Sequence, residues 1–143
     1  MAQCYWLKIE RKANEGMLLK ENKSGIADEG YANWRPSDTN INNVQKGDLM
    51  IIYIHDMKRF YSAEIKNVIL GEDKGNDDWV HTFILQSVNK LGDISDWKLL
   101  SQQLELTQKY KDNPKAIGGT LRCSMIKLSK DDFEKIRNYK FKD

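Results

Sequence analysis

Six consecutive apolar residues, Leu49-Met50-Ile51-Ile52-Tyr53-Ile54, entered through the turn signal Lys46-Gly47-Asp48, constrain the fold more than any other feature of the chain. A short, continuous apolar run of this kind predicts a central strand covered on both faces, so something must pack on each side of it. After His55-Asp56-Met57-Lys58, the segment from Tyr61 to Asn67 alternates with period two and puts Tyr61, Ala63 and Ile65 on one face. The two segments are predicted to pair as an antiparallel hairpin. Tyr5 to Glu10 predicts a half-buried first strand, Val80 to Val88 a further strand, and Cys123 to Leu128 a last short one.

Helical signals fall between the strands. Asn14 to Glu21 predicts a short helix, Ser95 is placed to cap a helix running through Trp97, Leu99, Leu100 and Leu104, and Ser129 is placed to cap one in which Phe133, Ile136 and Arg137 share a stripe. From Ser24 to Asn43 the composition turns to Gly, Asn, Asp, Ser and Pro, which predicts a long loop. Tyr31 and Trp34 lie in its middle, where a disordered segment carries small polar residues, so the loop is expected to be ordered and functional. Gly71 to Asp78 is an acidic, glycine-containing connection long enough to form a flap, and Lys140 to Asp143 is expected to fray.

Strands interrupted by helices, with no regular βαβ alternation, predict an α+β fold: a small curved mixed sheet closing toward a barrel, with helices packed around it. At 143 residues, with no internal repeat or linker, the chain is expected to form a single domain over 1–143. No apolar run approaches the roughly 20 residues of a membrane-spanning helix, and the N-terminus lacks the pattern of a secretory signal, so a cytoplasmic location is expected. The net charge of +2 permits a polyanionic partner without demanding one. Two cysteines, Cys4 and Cys123, are too few for a disulfide framework or a metal site and are expected to be reduced, small hydrophobes.

The signatures of several enzyme classes are missing: the chain has no phosphate-binding loop, no Gly-x-Gly-x-x-Gly and no Gly-x-Ser-x-Gly elbow. His55 and His81 lie at a strand end and within a strand, without Cys or acidic partners at zinc-ligand spacing. Asp73, Asp77 and Asp78 lack the spacing of a calcium loop and read as a solvated turn. No catalytic residue, metal or cofactor is therefore expected.

The order of the remaining motifs resembles an EVE domain. Tyr5-Trp6-Leu7 opens the first strand, Asn33-Trp34 lies in the following loop, and Lys46-Gly47-Asp48 feeds the apolar strand that carries Tyr53 near its end. The strand Phe60 to Val68 comes next, then Trp79, then Arg122-Cys123-Ser124 before the last strand and the terminal helix with Asp132-Phe133. The resemblance covers nearly the whole chain and implies a PUA-like fold, related to the YTH domains that read N6-methyladenine in RNA. It implies a non-enzymatic module that binds RNA or DNA and holds one nucleobase, expected to be modified, in an aromatic pocket, with an effector protein as a further partner.

Carried over to this chain, the resemblance makes Trp34 one wall of the pocket and Trp79 a second cage aromatic. Asn33 becomes a hydrogen-bonding group for the base edge, Arg122 a phosphate contact, and Trp6 and Tyr31 rim residues. The chain departs from the bacterial EVE pattern after Glu10, where Arg11-Lys12-Ala13 stands in place of a Ser-Glu-Pro-like stretch. Each tryptophan has packing as its alternative role, Trp97 on its leucine-bearing helix above all, and Arg122 has a surface ion pair. The lysines from Lys127 to Lys142 equally suit a solvated helix face. Two other functions stay open: a hydrolase or nucleotide-acting enzyme of a related PUA-like class with His81 or Lys8 as general base, and a protein-interaction adaptor acting through the acidic flap.

Overall fold

A computed structural model describes residues 3–12, 30–34, 43–70, 81–95, 100, 103–106 and 125–141, with the backbone alone at 30–34 and 125. Its strands are β1 (Tyr5–Glu10), β2 (Gly30–Trp34), β3 (Leu49–Ile54), β4 (Arg59–Ile69), β5 (His81–Asp93) and β6 (Met125–Leu128), followed by helix α1 (Lys130–Arg137). They form one six-stranded sheet in the order β2-β5-β4-β3-β1-β6. β1 and β3 run parallel, and the other neighbouring pairs are antiparallel, so the sheet is mixed.

β3 occupies the centre, as its apolar run requires. Met50, Ile52 and Ile54 face one core with Trp6, Tyr61, Ala63, Ile65, Phe83 and Leu85. Ile51 and Tyr53 face the other, with Leu7, Phe60, Leu128, Leu100, Leu104 and the α1 residues Phe133 and Ile136. The expected hairpin of β3 and β4 is present, with Ile52 opposite Tyr61 and Met50 opposite Ala63. At its other end the Lys46-Gly47 turn is held by Gly47 N–H donating to the Ile65 carbonyl at 2.8 Å. Gly47 has φ +93°, a left-handed backbone that glycine adopts without a Cβ clash.

Helix α1 starts where its cap predicts. Ser129 Oγ accepts from the Asp132 amide at 3.1 Å, and acidic residues in the first turn face the positive end of the helix. Asp132 is buried, and its two carboxylate oxygens accept from the Glu105 and Leu106 amides at 2.8 and 2.9 Å, which ties the 103–106 turn to the helix. Phe133 and Ile136 bury the stripe expected of them, while exposed Arg137 pairs with Glu134 at 2.7 Å and lies over the Phe133 ring.

Three expectations are corrected. Among the described residues the sheet is open rather than closing toward a barrel, with β2 and β6 at opposite edges, while α1 and the helical residue Leu100 pack on one face. Closure needs an unbroken circuit of strand pairing; β2 reaches only the His81–Leu85 part of β5, and β6 contributes only four residues to β1. Residues 30–34, read as loop, form an edge strand. Phe141, expected to fray, packs 5.2 Å from the Phe60 ring and over Gly92, whose φ of +142° and missing Cβ leave the space it fills. β5 is also longer than expected because it absorbs its turn-like residues in irregularities: the β4–β5 register shifts at several points, and Ser87 takes φ +53°. The predicted helix at Asn14 to Glu21 and the acidic connection Gly71 to Asp78 lie outside the described residues.

Candidate nucleic-acid interface

Of the residues expected to bind a base, Tyr31, Asn33 and Trp34 lie on β2, beside the start of β5. β2 pairs antiparallel with it in the register Tyr31 opposite Ile84, Asn33 opposite Thr82 and Trp34 opposite His81. Positions directly opposite in a ladder share a face of the sheet, and successive positions alternate. Position 34 thus belongs with buried His81, Phe83 and Leu85, while positions 31 and 33 belong with half-buried Ile84 and Thr82. The register brings Tyr31 and Asn33 together and assigns Trp34 to the other face. Exposed Ile69 ends β4 beside the same part of β5, opposite Thr82, and exposed Leu70 follows it. Trp79 and Arg122 lie outside the described residues.

Trp6 is placed in the core instead of at a rim. It is 1 % exposed, and its Nε1 donates to Asp48 Oδ2 at 3.0 Å. The same carboxylate accepts from the amides of Cys4 at 3.0 Å and Gln45 at 2.9 Å, so Asp48 binds the start of β1 to the entry of β3. A buried carboxylate holding these donors is a structural clasp, and it explains physically why Gly47-Asp48 precedes the central strand. The signal available in the sequence was the Gly-Asp pair, but Trp6 lies 42 residues from its acceptor.

The face that carries Trp6 also holds charge. Lys8 Nζ lies 3.0 Å from Glu10 Oε1, with side chains 1 % and 4 % exposed, and it also reaches the Ile9 carbonyl at 3.3 Å. Such a pair brings a large desolvation cost that packing alone does not require, which singles it out among the buried residues. Sequence reasoning missed Glu10 because a carboxylate at a strand end reads as solvated. Further along the same row, Glu10 lies opposite Ile54, Ile54 opposite Arg59, and Arg59 opposite Asp93. Arg59 binds Asp93 through both carboxylate oxygens at 2.7 and 3.1 Å. That hydrogen-bonded guanidinium holds the Asp93 carboxyl below its ordinary value of 3.8, against a smaller opposing effect of burial.

No cluster of His, Cys, Asp and Glu suited to a metal ion occurs among the described residues. Lys8, named as a possible general base, has its ammonium engaged by Glu10, and His81 is buried.

The arrangement of this sheet and helix is shared by solved structures. A Pseudomonas putida protein solved by structural genomics matches over 91 % of this chain and 95 % of its own, at 12 % identity and a TM-score of 0.53. Human THYN1, solved in complex with 5-methylcytosine-containing DNA, matches over 92 % of this chain and 94 % of its own, at 10 % identity and a TM-score of 0.51. At these identities the likeness is one of fold. No protein-family model and no curated protein matches the sequence.

Proposed function

We propose that residues 1–143 form one cytoplasmic, non-enzymatic domain that binds nucleic acid and takes a single modified base at the end of the sheet where β2 meets β5. The observation that carries this reading is the register of Trp34 opposite His81. Trp79 follows the acidic connection and precedes His81 by two residues, and two residues of chain span at most about 7 Å. On this reading both tryptophans serve one heterocycle at that corner of the sheet. THYN1, which shares the fold, was solved with 5-methylcytosine in DNA, and this makes modified cytosine the first base to test. No helix among the described residues is long and apolar enough to cross a membrane.

In this reading Trp34 and Trp79 stack on the base, each contact contributing about 1–3 kcal/mol without choosing among bases. Asn33 and Tyr31, assigned by register to the other face, act at the rim or on the flanking strand. Choice comes from groups that must find partners in the site. Burial of one added methyl contributes about 0.8 kcal/mol, a factor of about four in affinity, so preference for methylation is modest unless shape also excludes the competitor. Extrusion from a duplex costs a few kcal/mol, and single strands avoid it.

The test is fluorescence anisotropy with DNA and RNA oligonucleotides that do or do not carry the modified base. Trp34→Ala is expected to weaken binding of the preferred oligonucleotide by about 5- to 150-fold, the equivalent of one lost stack, while shifting the melting temperature little. A variant that binds as the unaltered protein does, or that loses its cooperative melt, would remove Trp34 from the site. Retained binding of protein partners with no affinity for any oligonucleotide would favour the adaptor reading.

A further inference from the structure

At the C-terminal end of α1 an open hollow of about 490 Å³ is lined by Gln103, Glu134, Lys135, Asn138, Tyr139 and Lys140. Glu134 does not make it acidic, because its carboxylate is held by Arg137 at 2.7 Å. No carboxylate pairs with Lys135 or Lys140 among the described residues, and both lysines are exposed. Two ammonium groups, two side-chain amides and a phenol thus surround a space of nucleotide size. The helix C-terminus contributes about half a negative charge, which the two lysines exceed.

From these observations we infer that the hollow is a phosphate-contact site for the nucleic acid that the domain reads. The inference rests on the proposed function, and it meets a need that function creates. The connection before Trp79 carries Glu72, Asp73, Asp77 and Asp78 against Lys74 alone, so that stretch of sequence offers phosphates little attraction. The two lysines of the hollow supply backbone affinity that the acidic stretch does not.

The hollow adjoins the far end of β5: Tyr139 packs edge-on against Phe141 at 4.9 Å, and Phe141 covers Gly92. From His81 to Gly92 the strand spans at most about 36 Å, or roughly ten base-pair steps of duplex. Register shifts along the β4–β5 ribbon add twist, which turns the sheet face between its two ends. One nucleic acid therefore reaches both sites only when it is long enough.

The experiment compares the unaltered protein, K135A/K140A and K135R/K140R on duplexes of about 6 and about 20 base pairs, modified and unmodified, over a range of salt. Each lost phosphate contact lowers the slope of log K against log salt by about 0.9, so the alanine pair is expected to reduce it by about 1.8 on the long duplex. The arginine pair is expected to retain the slope, the short duplex to show no difference, and the preference for the modified base to remain. An unchanged slope in K135A/K140A, or a drop in melting temperature without a change in slope, would overturn the inference and leave the lysines as partners of the helix dipole. Because the slope is read on unmodified duplex as well, the hollow can stand even if Trp34→Ala shows that no base is read. Failure of the unaltered protein to bind any oligonucleotide at low salt would sink both.

Discussion

The two faces of the sheet are closed by different chemistry. Under α1 the cover is apolar and interlocked: Phe133 and Ile136 meet Leu7 and Ile51, and Phe141 seals the side at Gly92 and Phe60. Across the sheet, the face of Met50, Ile52 and Ile54 also carries Trp6 tied to Asp48, the Lys8–Glu10 pair, buried His81 and the row ending in Arg59 and Asp93. A buried ion pair is not needed for stability alone, since well-packed hydrophobic residues of similar volume do as well or better. The difference teaches that one face is an apolar scaffold and that the other is ordered by buried polar contacts.

That division is open to a direct attack at Lys8. Replacing one partner, as in Lys8→Met, leaves the Glu10 carboxylate buried without its cation and is expected to cost about 3–5 kcal/mol of stability in urea unfolding. The double change K8M/E10L removes both charges and is expected to recover most of that loss. A double variant no more stable than Lys8→Met would show that this face depends on its charges and does not accept apolar packing in their place.

On the scaffold face the sharper probe is Gly92→Ala. A Cβ at this position would overlap Phe141, at 2.9 Å from its Cγ, and φ +142° is strained for any residue but glycine. A loss of about 1–3 kcal/mol is expected, falling to the backbone strain alone when Phe141→Gly, which removes the overlapping Cβ, is already present. A thermodynamic cycle over the two positions measures how firmly the tail holds the scaffold. Additivity in that cycle would show that Phe141 does not fill the space at Gly92.

The scaffold was the more legible half. The apolar run Leu49–Ile54, the period-two face of Tyr61, Ala63 and Ile65, and the Ser129 cap are local patterns, and each local pattern agrees with the structure. β2 was illegible because Gly30, Ala32 and Asn33 have weak strand propensity and its partner β5 lies some 50 residues away. Trp6 was misassigned for a similar reason: whether an indole faces a ligand or a clasp depends on Asp48, which only tertiary pairing brings near. In β5, Ser87 and Gly92 have turn chemistry that the strand accommodates at positive φ, so its length was underestimated. The proposed base site is half legible, since sequence names Trp34 but not the face to which its register assigns it.

The smallest effect is expected where the polar face reaches solvent, at Arg59 and Asp93, with side chains 20 % and 41 % exposed. Arg59 lowers the Asp93 carboxyl below 3.8 in the folded state, so the unfolded chain takes up this proton more readily. The pair's contribution is therefore fully present above about pH 4 and is lost as the pH falls through the lower, folded value. Solvent screening keeps it under about 1 kcal/mol at neutral pH, far less than the Lys8–Glu10 pair. Arg59→Gln is expected to lower stability slightly at pH 7 and to flatten its decline below pH 4, as read from urea midpoints across the acid range. An identical acid limb in both proteins would mean that Arg59 does not set the charge of Asp93, and that the polar face is ordered by its buried pair without help from its solvent-facing end.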